Sequence, residues 1–246
     1  MDPADKKKIA ANVIILLSYL LGASSLLLFA VFLFAGNLNL ISFSWKQHWA
    51  LLFNAGLSFL FFIQHSLMVR KSFNNILCRF LPEEFGGTVY SITSGIFLLI
   101  VIIFWQSTSP LLEAQDLTRV ILRVMFILPI VGFFWAAKSL GFFDPFGIKK
   151  ILDYQRGKKP ARPVFTVKGP YLLVRHPLYF FILIMIWSCP DLTSDRLLFN
   201  IIWSVWIIVG TILEERDLVS QFGDIYRKYQ KDVPILFPFK FNRARL

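Results

Sequence analysis

The sequence predicts an all-α protein, a polytopic transmembrane helical bundle with about six spans and both termini in the cytoplasm. Composition is the first observation behind this prediction. The 246 residues are 56% hydrophobic and 17% charged, whereas a soluble domain usually carries about 25% charged residues. Clustering is the second, because the apolar residues fall in long blocks and not at scattered positions. We therefore expect one integral-membrane domain over residues 1–246, with an amphipathic cytoplasmic helix near its C-terminal end.

Six apolar blocks are long enough to be considered as spans, since a spanning helix needs roughly 20 apolar residues. The predicted spans lie at 12–35, 48–69, 88–107, 119–138, 175–190 and 196–213. The fifth is the shortest of them, so it either tilts or begins within the membrane interface.

The lysine and arginine residues between these blocks predict the orientation of the chain. On one side, the N-terminus, second loop, fourth loop and tail carry three, three, nine and seven of them. The three intervening loops carry one, two and one. Cytoplasmic loops are enriched in positive charge, so the loop 139–174 and the tail 214–246 should be cytoplasmic. This asymmetry also accounts for the net charge of +11, and we expect no nucleic-acid partner.

Polar residues from several spans gather at this cytoplasmic level. They are Gln64 and His65, Lys138, Arg175 and His176, and Glu214 and Glu215. Ionisable residues inside or against apolar segments are functional candidates by default, although each one alone could also anchor a helix end. The two cysteines and three histidines are too dispersed to predict a metal site.

Two cytoplasmic segments leave alternatives open. The stretch "SLGFFDPFGIKKILDYQRGKK" within 139–174 either lies in the membrane interface, held by aromatic residues and anionic lipid, or covers a ligand. Residues 214–231 read as one amphipathic helix ended by Pro234, lying on the bilayer, capping a pocket, or both. Its apolar face comprises Leu218, Phe222, Ile225, Tyr226 and Tyr229.

Two sets of motifs resemble a known family. "VRHPLY" at 174–179, followed by "EERDLVSQFGDIYRKYQKDVPILFP" at 214–238, resembles the C-terminal half of the isoprenylcysteine carboxyl methyltransferase superfamily. "FIQHSLMVRKSF" at 62–73, "FWQ" at 104–106 and "DPFGIKK" at 144–150 are similar to the methanethiol S-methyltransferases and the related NnrU-type membrane proteins. The resemblance covers roughly residues 50–240. One departure is Phe181, which stands where the family often has glycine.

The resemblance implies an integral-membrane enzyme that uses S-adenosylmethionine to methylate a small thiol, methanethiol, giving dimethyl sulfide. It also implies a set of cofactor-binding residues, which we expect to be Tyr171, His176, Tyr179, Glu214 and Glu215. A multi-pass protein of a bacterial inner membrane, in contact with membrane lipids, is the corresponding expectation for location. Oligomeric state is left open.

The acceptor side is predicted from residue type and position. A thiol attacks well only as the thiolate, so a base or a nearby cation would assist. His65 is the expected base, oriented by Gln64, and Arg175 is the electrostatic alternative. Two other functions stay open: methyl transfer to a prenylcysteine or lipid-like acceptor, and a non-enzymatic NnrU-type protein or transporter. Transport is disfavoured because the polar residues cluster at one end of the spans and not at mid-membrane.

Overall fold

The computed structural model describes residues 3–141, 144–158 and 165–239. It confirms the all-α, polytopic helical fold. The helices are α1 (Pro3–Ala35), α2 (Gln47–Val69), α3 (Lys71–Leu77), α4 (Gly86–Phe104), α5 (Asp116–Leu140), α6 (Ile148–Gln155), α7 (Pro177–Trp187), α8 (Ser194–Phe222) and α9 (Asp224–Asp232). Two short strands, β1 (Pro110–Glu113) and β2 (Asp191–Thr193), pair with each other. Turns of 3-10 helix occur at Glu83–Phe85 and Gly169–Leu172.

Five of the described helices are long and apolar enough to cross a membrane. They are α1 from Lys8 onward, α2, α4 together with the turn that precedes it, α5 and α8. Many of their large apolar side chains are exposed, for example Leu27 at 67% and Val131 at 66%. Exposed apolar side chains along whole helices are stable only in lipid, so the protein is an integral membrane protein.

The predicted span 175–190 is wrong in its length. It forms only α7, a helix of 11 residues, which at 1.5 Å per residue reaches about half of the roughly 30 Å hydrocarbon core. Proline at the first helical position favours a helix start at Pro177. At the other end, Ser188 leaves the helical conformation. The apolar run of the sequence is therefore longer than the helix that it forms.

The predicted single helix over 214–231 is also wrong. Helix α8 continues without interruption from the membrane to Phe222, and α9 is a separate helix that begins at Asp224. Gly223 between them has φ +60° and ψ −132°, a conformation that residues with a Cβ rarely adopt. This glycine changes the chain direction, and Ile225 of the predicted apolar face is 65% exposed.

The chain forms two compact units, and the first contains residues 1–109, 144–162 and 193–199. In it, α4 packs against both α1 and α2. A Cβ on Gly95 would lie 2.8 Å from the carbonyl oxygen of Leu21, so glycine permits the close approach of α1 and α4. Phe32, Trp105 and Phe199 pack edge to face and are fully buried.

Part of the predicted loop 139–174 is a helix docked on this first unit. Ile151 of α6 is fully buried against Ala11 and Phe85. The Asp144 carboxylate accepts hydrogen bonds from the backbone N–H groups of Ile148 (3.1 Å) and Lys149 (2.9 Å), which caps the start of α6. Residues 142–143 and 159–164 of the predicted loop, and 240–246 of the predicted tail, lie outside the described residues.

The second unit contains residues 110–143, 163–192 and 200–246. Helices α5 and α7 pack together, and the ring of Phe181 fills the space that a side chain on Gly132 would need. Phe181, the departure from the family pattern, is therefore matched by a glycine on the facing helix. Near the paired strands, Arg119 forms a bidentate ion pair with Asp191.

Candidate functional site

Two adjacent carboxylates on α8 lie at the centre of the candidate site in the second unit. Successive residues of an α-helix point about 100° apart, so Glu214 and Glu215 enter different surroundings. The side chain of Glu214 is 42% exposed and that of Glu215 only 8%. The sequence alone shows that two glutamates are adjacent, and the fold determines that one is buried and the other half-exposed.

Glu215 is the acceptor of a buried network. Its carboxylate accepts two hydrogen bonds from Arg175, from Nε at 3.0 Å and from the Nη2 nitrogen at 2.8 Å. The Tyr226 hydroxyl donates at 2.5 Å and the Gln230 amide at 2.6 Å. His176 Nε2 lies 2.7 Å from the same carboxylate. A charge this deeply buried is stable only when it is paired and hydrogen-bonded, and Glu215 is both.

Arg175 connects this network to the chain that follows α9. Its Nη1 nitrogen donates to the carbonyl oxygens of Gln230 (3.0 Å) and Val233 (2.5 Å). Its backbone N–H donates to the Pro234 carbonyl at 2.9 Å. All three guanidinium nitrogens thus donate to protein acceptors, and these contacts favour a positioning role for Arg175.

Glu214 has fewer protein contacts and faces a cavity. The Tyr179 hydroxyl donates to it at 2.7 Å, and His176 Nδ1 lies 3.9 Å from the same oxygen. The His176 imidazole and the Tyr179 ring stack, with centroids 5.7 Å apart. One histidine therefore contacts both carboxylates through different nitrogens.

The cavity has a volume of about 410 Å³, which is within the usual range of small-molecule sites. Its polar lining includes Arg175, His176 and Glu214, the side chains of Thr166 and Gln221, and tyrosine hydroxyls. Most of the remaining wall is aromatic, formed by Phe165, Tyr171, Tyr179, Phe222, Tyr226 and Tyr229. The arrangement suits a flat, partly polar ligand with a positive group.

The buried tyrosines of this wall are neutral hydrogen-bond donors. The Tyr229 hydroxyl donates to the Tyr171 carbonyl at 2.5 Å. Burial raises the pKa of Tyr171, Tyr226 and Tyr229 above the usual value. The nearby charge of Glu214 raises the pKa of Tyr171 further, and that of Glu215 raises the pKa of Tyr226. These phenols stay protonated throughout the physiological pH range.

The predicted acceptor-side residues Gln64 and His65 belong to α2 in the first unit. The Tyr90 hydroxyl lies 2.6 Å from His65 Nε2. The Gln64 amide donates to Ser94 Oγ at 3.3 Å and to Met68 Sδ at 2.9 Å. Their proposed roles as base and orienting residue stay predictions.

Six predicted site residues share one neighbourhood in the second unit. Tyr171, Arg175, His176, Tyr179 and Glu214 line the cavity, and Glu215 lies beside it. Gln230 and Phe165 were not predicted. Phe165 lies in irregular chain without a periodic pattern, and Gln230 is recognisable only once Gly223 has redirected α9 towards Glu215. Within the described ranges, no group of three or more His, Cys, Asp or Glu side chains could hold a metal ion.

Several relatives of this chain are methanethiol S-methyltransferases. It is 36% identical to a methanethiol S-methyltransferase of Pseudomonas sp. (strain GM41(2012)) over 80% of this chain and 76% of the relative. It is 35% identical to the methanethiol S-methyltransferase of Pseudomonas deceptionensis over 77% of this chain and 73% of the relative. The Mycobacterium tuberculosis protein of the same name is 30% identical over 77% of this chain and 79% of its own length.

A more distant similarity extends to nurim of Rattus norvegicus, which is 25% identical over 70% of this chain and 69% of its own length. No protein-family model and no solved structure matches the chain significantly. The identity to the first relatives, over more than two thirds of both chains, decides the family. The chain belongs to the methanethiol S-methyltransferase family, and the names of these relatives support its predicted class, a methyltransferase.

Proposed function

We propose that this protein transfers a methyl group from S-adenosylmethionine to methanethiol, and releases dimethyl sulfide and S-adenosylhomocysteine. We place the donor in the cavity of the second unit. We propose that the protein lies in a bacterial inner membrane and that this cavity opens to the cytoplasm. The observation that carries the proposal is the cavity itself, which has aromatic walls and one half-exposed carboxylate, Glu214, and is lined by His176 and Tyr179 of the VRHPLY motif.

The residues of the cavity fit such a donor. Aromatic faces suit a flat adenine, and a carboxylate with free acceptor capacity suits a ribose hydroxyl or a cation. Tyr171, His176, Tyr179 and Glu214 would contact the donor, while Glu215 holds Arg175 and His176 in place. When bound, the donor supplies an electrophilic methyl group on a positively charged sulfur atom.

Positioning is the main contribution that these residues make to the reaction. The buried network around Glu215 fixes α7 relative to α9 through Arg175 and Tyr226. Rigid walls of this kind hold reacting groups in line, which accounts for a large part of enzymatic rate enhancement. The apolar rings exclude water, and a site without water favours a reaction in which charge on sulfur disperses.

The thiol proton must also leave, because the thiolate is the nucleophile. We propose His65 as the group that accepts it, with the Tyr90 hydroxyl as its contact within α4. The His65→Ala protein should then lose turnover far more than donor affinity. An equal loss of both would remove His65 from the acid–base chemistry.

Headspace analysis of the purified, detergent-solubilised protein tests the proposal. The wild-type protein should form dimethyl sulfide from methanethiol and S-adenosylmethionine. Glu214→Gln should lower kcat/KM by at least about tenfold, since it removes one charged contact. Asp217→Asn is the matched control, because Asp217 is an exposed carboxylate of the same helix and should retain full activity.

Two outcomes separate the alternatives. Methyl transfer to a farnesylated cysteine analogue, without transfer to methanethiol, would identify a prenylcysteine methyltransferase. If calorimetry showed no donor binding and no methylated product formed, the remaining alternative would be a non-enzymatic NnrU-type protein or transporter.

A further inference from the structure

Among the described residues of the cavity wall, Arg175 and Glu214 carry opposite charges but make different contacts. Among the described lining residues, the cation Arg175 is paired through two hydrogen bonds with Glu215, so their charges cancel locally. The carboxylate of Glu214 accepts one hydrogen bond from the residues that the structure describes, and its donor is the neutral Tyr179 hydroxyl. Within the described part of the chain, Arg175 is therefore committed to Glu215, whereas the carboxylate of Glu214 keeps acceptor capacity towards the cavity.

Aromatic rings, among them those of Phe165 and Phe222, line the same cavity. The ring of Phe165 lies 5.4 Å from that of Phe222, 5.7 Å from that of Tyr226 and 5.5 Å from that of Tyr229, measured between centroids. Phe165 and Phe222 are only partly buried, so their surfaces are available to a ligand. The ring faces carry negative electrostatic potential, and clusters of them bind organic cations, most strongly where water is excluded.

A carboxylate and an aromatic cluster in one cavity favour the same ligand property, a positive charge on a weakly hydrated group. A tertiary sulfonium is such a group, because its charge is diffuse and it has no N–H or O–H to satisfy. A neutral thioether of the same shape would pack against the rings equally well but would gain neither the Coulomb attraction nor the cation–π contribution.

We propose that Glu214, Phe165 and Phe222 form a cation-selective subsite that recognises the sulfonium charge of the methyl donor. This inference rests on the proposed function and specifies what its site selects. The subsite distinguishes the donor from S-adenosylhomocysteine, which has the same adenosine and amino-acid groups but a neutral sulfur atom. Loss of the positive charge in the reaction then weakens binding of the spent donor and promotes its exchange.

Equilibrium binding of the two ligands to the purified protein tests the subsite. We expect the wild-type protein to bind S-adenosylmethionine about tenfold more tightly than S-adenosylhomocysteine, a ratio within the range of cation–π and charge contributions. Glu214→Gln and Phe165→Leu should each reduce this ratio to about two or less, with the affinity for S-adenosylhomocysteine changed less than about twofold. Asp217→Asn should keep the wild-type ratio, and thermal unfolding without ligand checks that each variant is folded.

Three results would overturn the inference, and they differ from one another. Equal affinity of the wild-type protein for both ligands would mean that the sulfur charge is not recognised. If Glu214→Gln lowered the affinity for both ligands equally, this carboxylate would bind the ammonium or ribose group that they share. Both of these leave the proposed reaction intact, whereas binding of neither ligand by the wild-type protein would reject the reaction together with the subsite.

Discussion

At the scale of single residues, the adjacent acids Glu214 and Glu215 illustrate what helical geometry does to two identical side chains. The buried one accepts hydrogen bonds from Arg175, Tyr226 and Gln230. The half-exposed one faces the cavity and, within the described ranges, accepts one hydrogen bond, from the Tyr179 hydroxyl. The sequence shows both acids at the membrane boundary, but it does not show which of them meets a buried arginine.

This division predicts unequal losses of stability when each carboxylate is removed. Glu215→Ala leaves Arg175 buried without its partner, which typically costs about 3–5 kcal/mol. Glu214→Ala removes one partly exposed hydrogen bond, at a cost of about 1 kcal/mol. Thermal unfolding in detergent measures both, and equal shifts of the two melting temperatures would contradict the assignment of Glu215 as the structural acid.

Tyr226 predicts a specific dependence of stability on alkaline pH. Burial and the charge of Glu215 raise its pKa in the folded protein. The folded state therefore keeps the proton more tightly than the unfolded chain, whose tyrosine pKa is about 10. The resulting stability is fully present below that pH and is lost as the pH rises towards the folded-state pKa.

Substitution of the hydroxyl group tests this dependence. Tyr226→Phe should lower the free energy of unfolding at pH 8 by about 1.5–3 kcal/mol, because a hydrogen bond to a charged acceptor is lost. Above pH 10 the difference from the wild-type protein should shrink. Tyr229→Phe, which loses a bond to a neutral carbonyl, should cost less, and a Tyr226→Phe difference that grows with pH would reject the explanation.

At the scale of helices, the contact between α5 and α7 depends on one glycine. The ring of Phe181 occupies the space above Gly132, so Gly132→Ala overpacks the contact at a cost of about 1–3 kcal/mol. Gly210 on α8 is the matched control, since its Cβ would meet nothing within 4 Å. Gly210→Ala should be neutral or stabilising by up to about 1 kcal/mol. Chemical or thermal unfolding should show a loss of stability for Gly132→Ala but not for Gly210→Ala, and equal shifts would contradict this account of the contact.

Helix positions were largely predictable, whereas two helix ends were not. Long apolar blocks located α1, α2, α4, α5 and α8, because only helices satisfy their backbone within lipid. An apolar run has no internal signal for its end, so the 16 residues predicted for 175–190 exceed the 11 of α7. The amphipathic period continues across Gly223, and the positive φ of that glycine is what separates α9 from α8.

At the scale of the whole molecule, the distribution of positive charge predicts the membrane topology. We expect the termini and residue 158 in the cytoplasm, and residue 46 on the opposite side. Two single-cysteine variants test this, Lys46→Cys and Lys158→Cys, each in a background in which serine replaces Cys78 and Cys189. Intact cells are treated with a membrane-impermeant maleimide, which labels only cysteines that face the outside. We expect labelling of Lys46→Cys alone. Labelling of Lys158→Cys alone would mean that the topology is the reverse of the predicted one.

The candidate site was predictable to the extent that motifs carry it. Arg175, His176 and the two glutamates were found because charged residues beside apolar runs require a reason, and Tyr179 was found through the family motif. Phe165 and Gln230 were missed, since their contribution depends on tertiary approach: Phe165 meets Tyr226 and Tyr229 across more than 60 positions of sequence. Irregular chain without a periodic pattern offers no local signal for such a contact.

The central claim is that the protein moves a methyl group from sulfur to sulfur. The most direct measurement uses S-adenosylmethionine with a trideuterated methyl group, unlabelled methanethiol and the purified protein, followed by mass spectrometry of the headspace gas. The account predicts dimethyl sulfide with one trideuterated and one unlabelled methyl group, formed at a rate that Glu214→Gln reduces and Asp217→Asn does not. Unlabelled dimethyl sulfide, or no dimethyl sulfide from a protein that binds the donor, would contradict it.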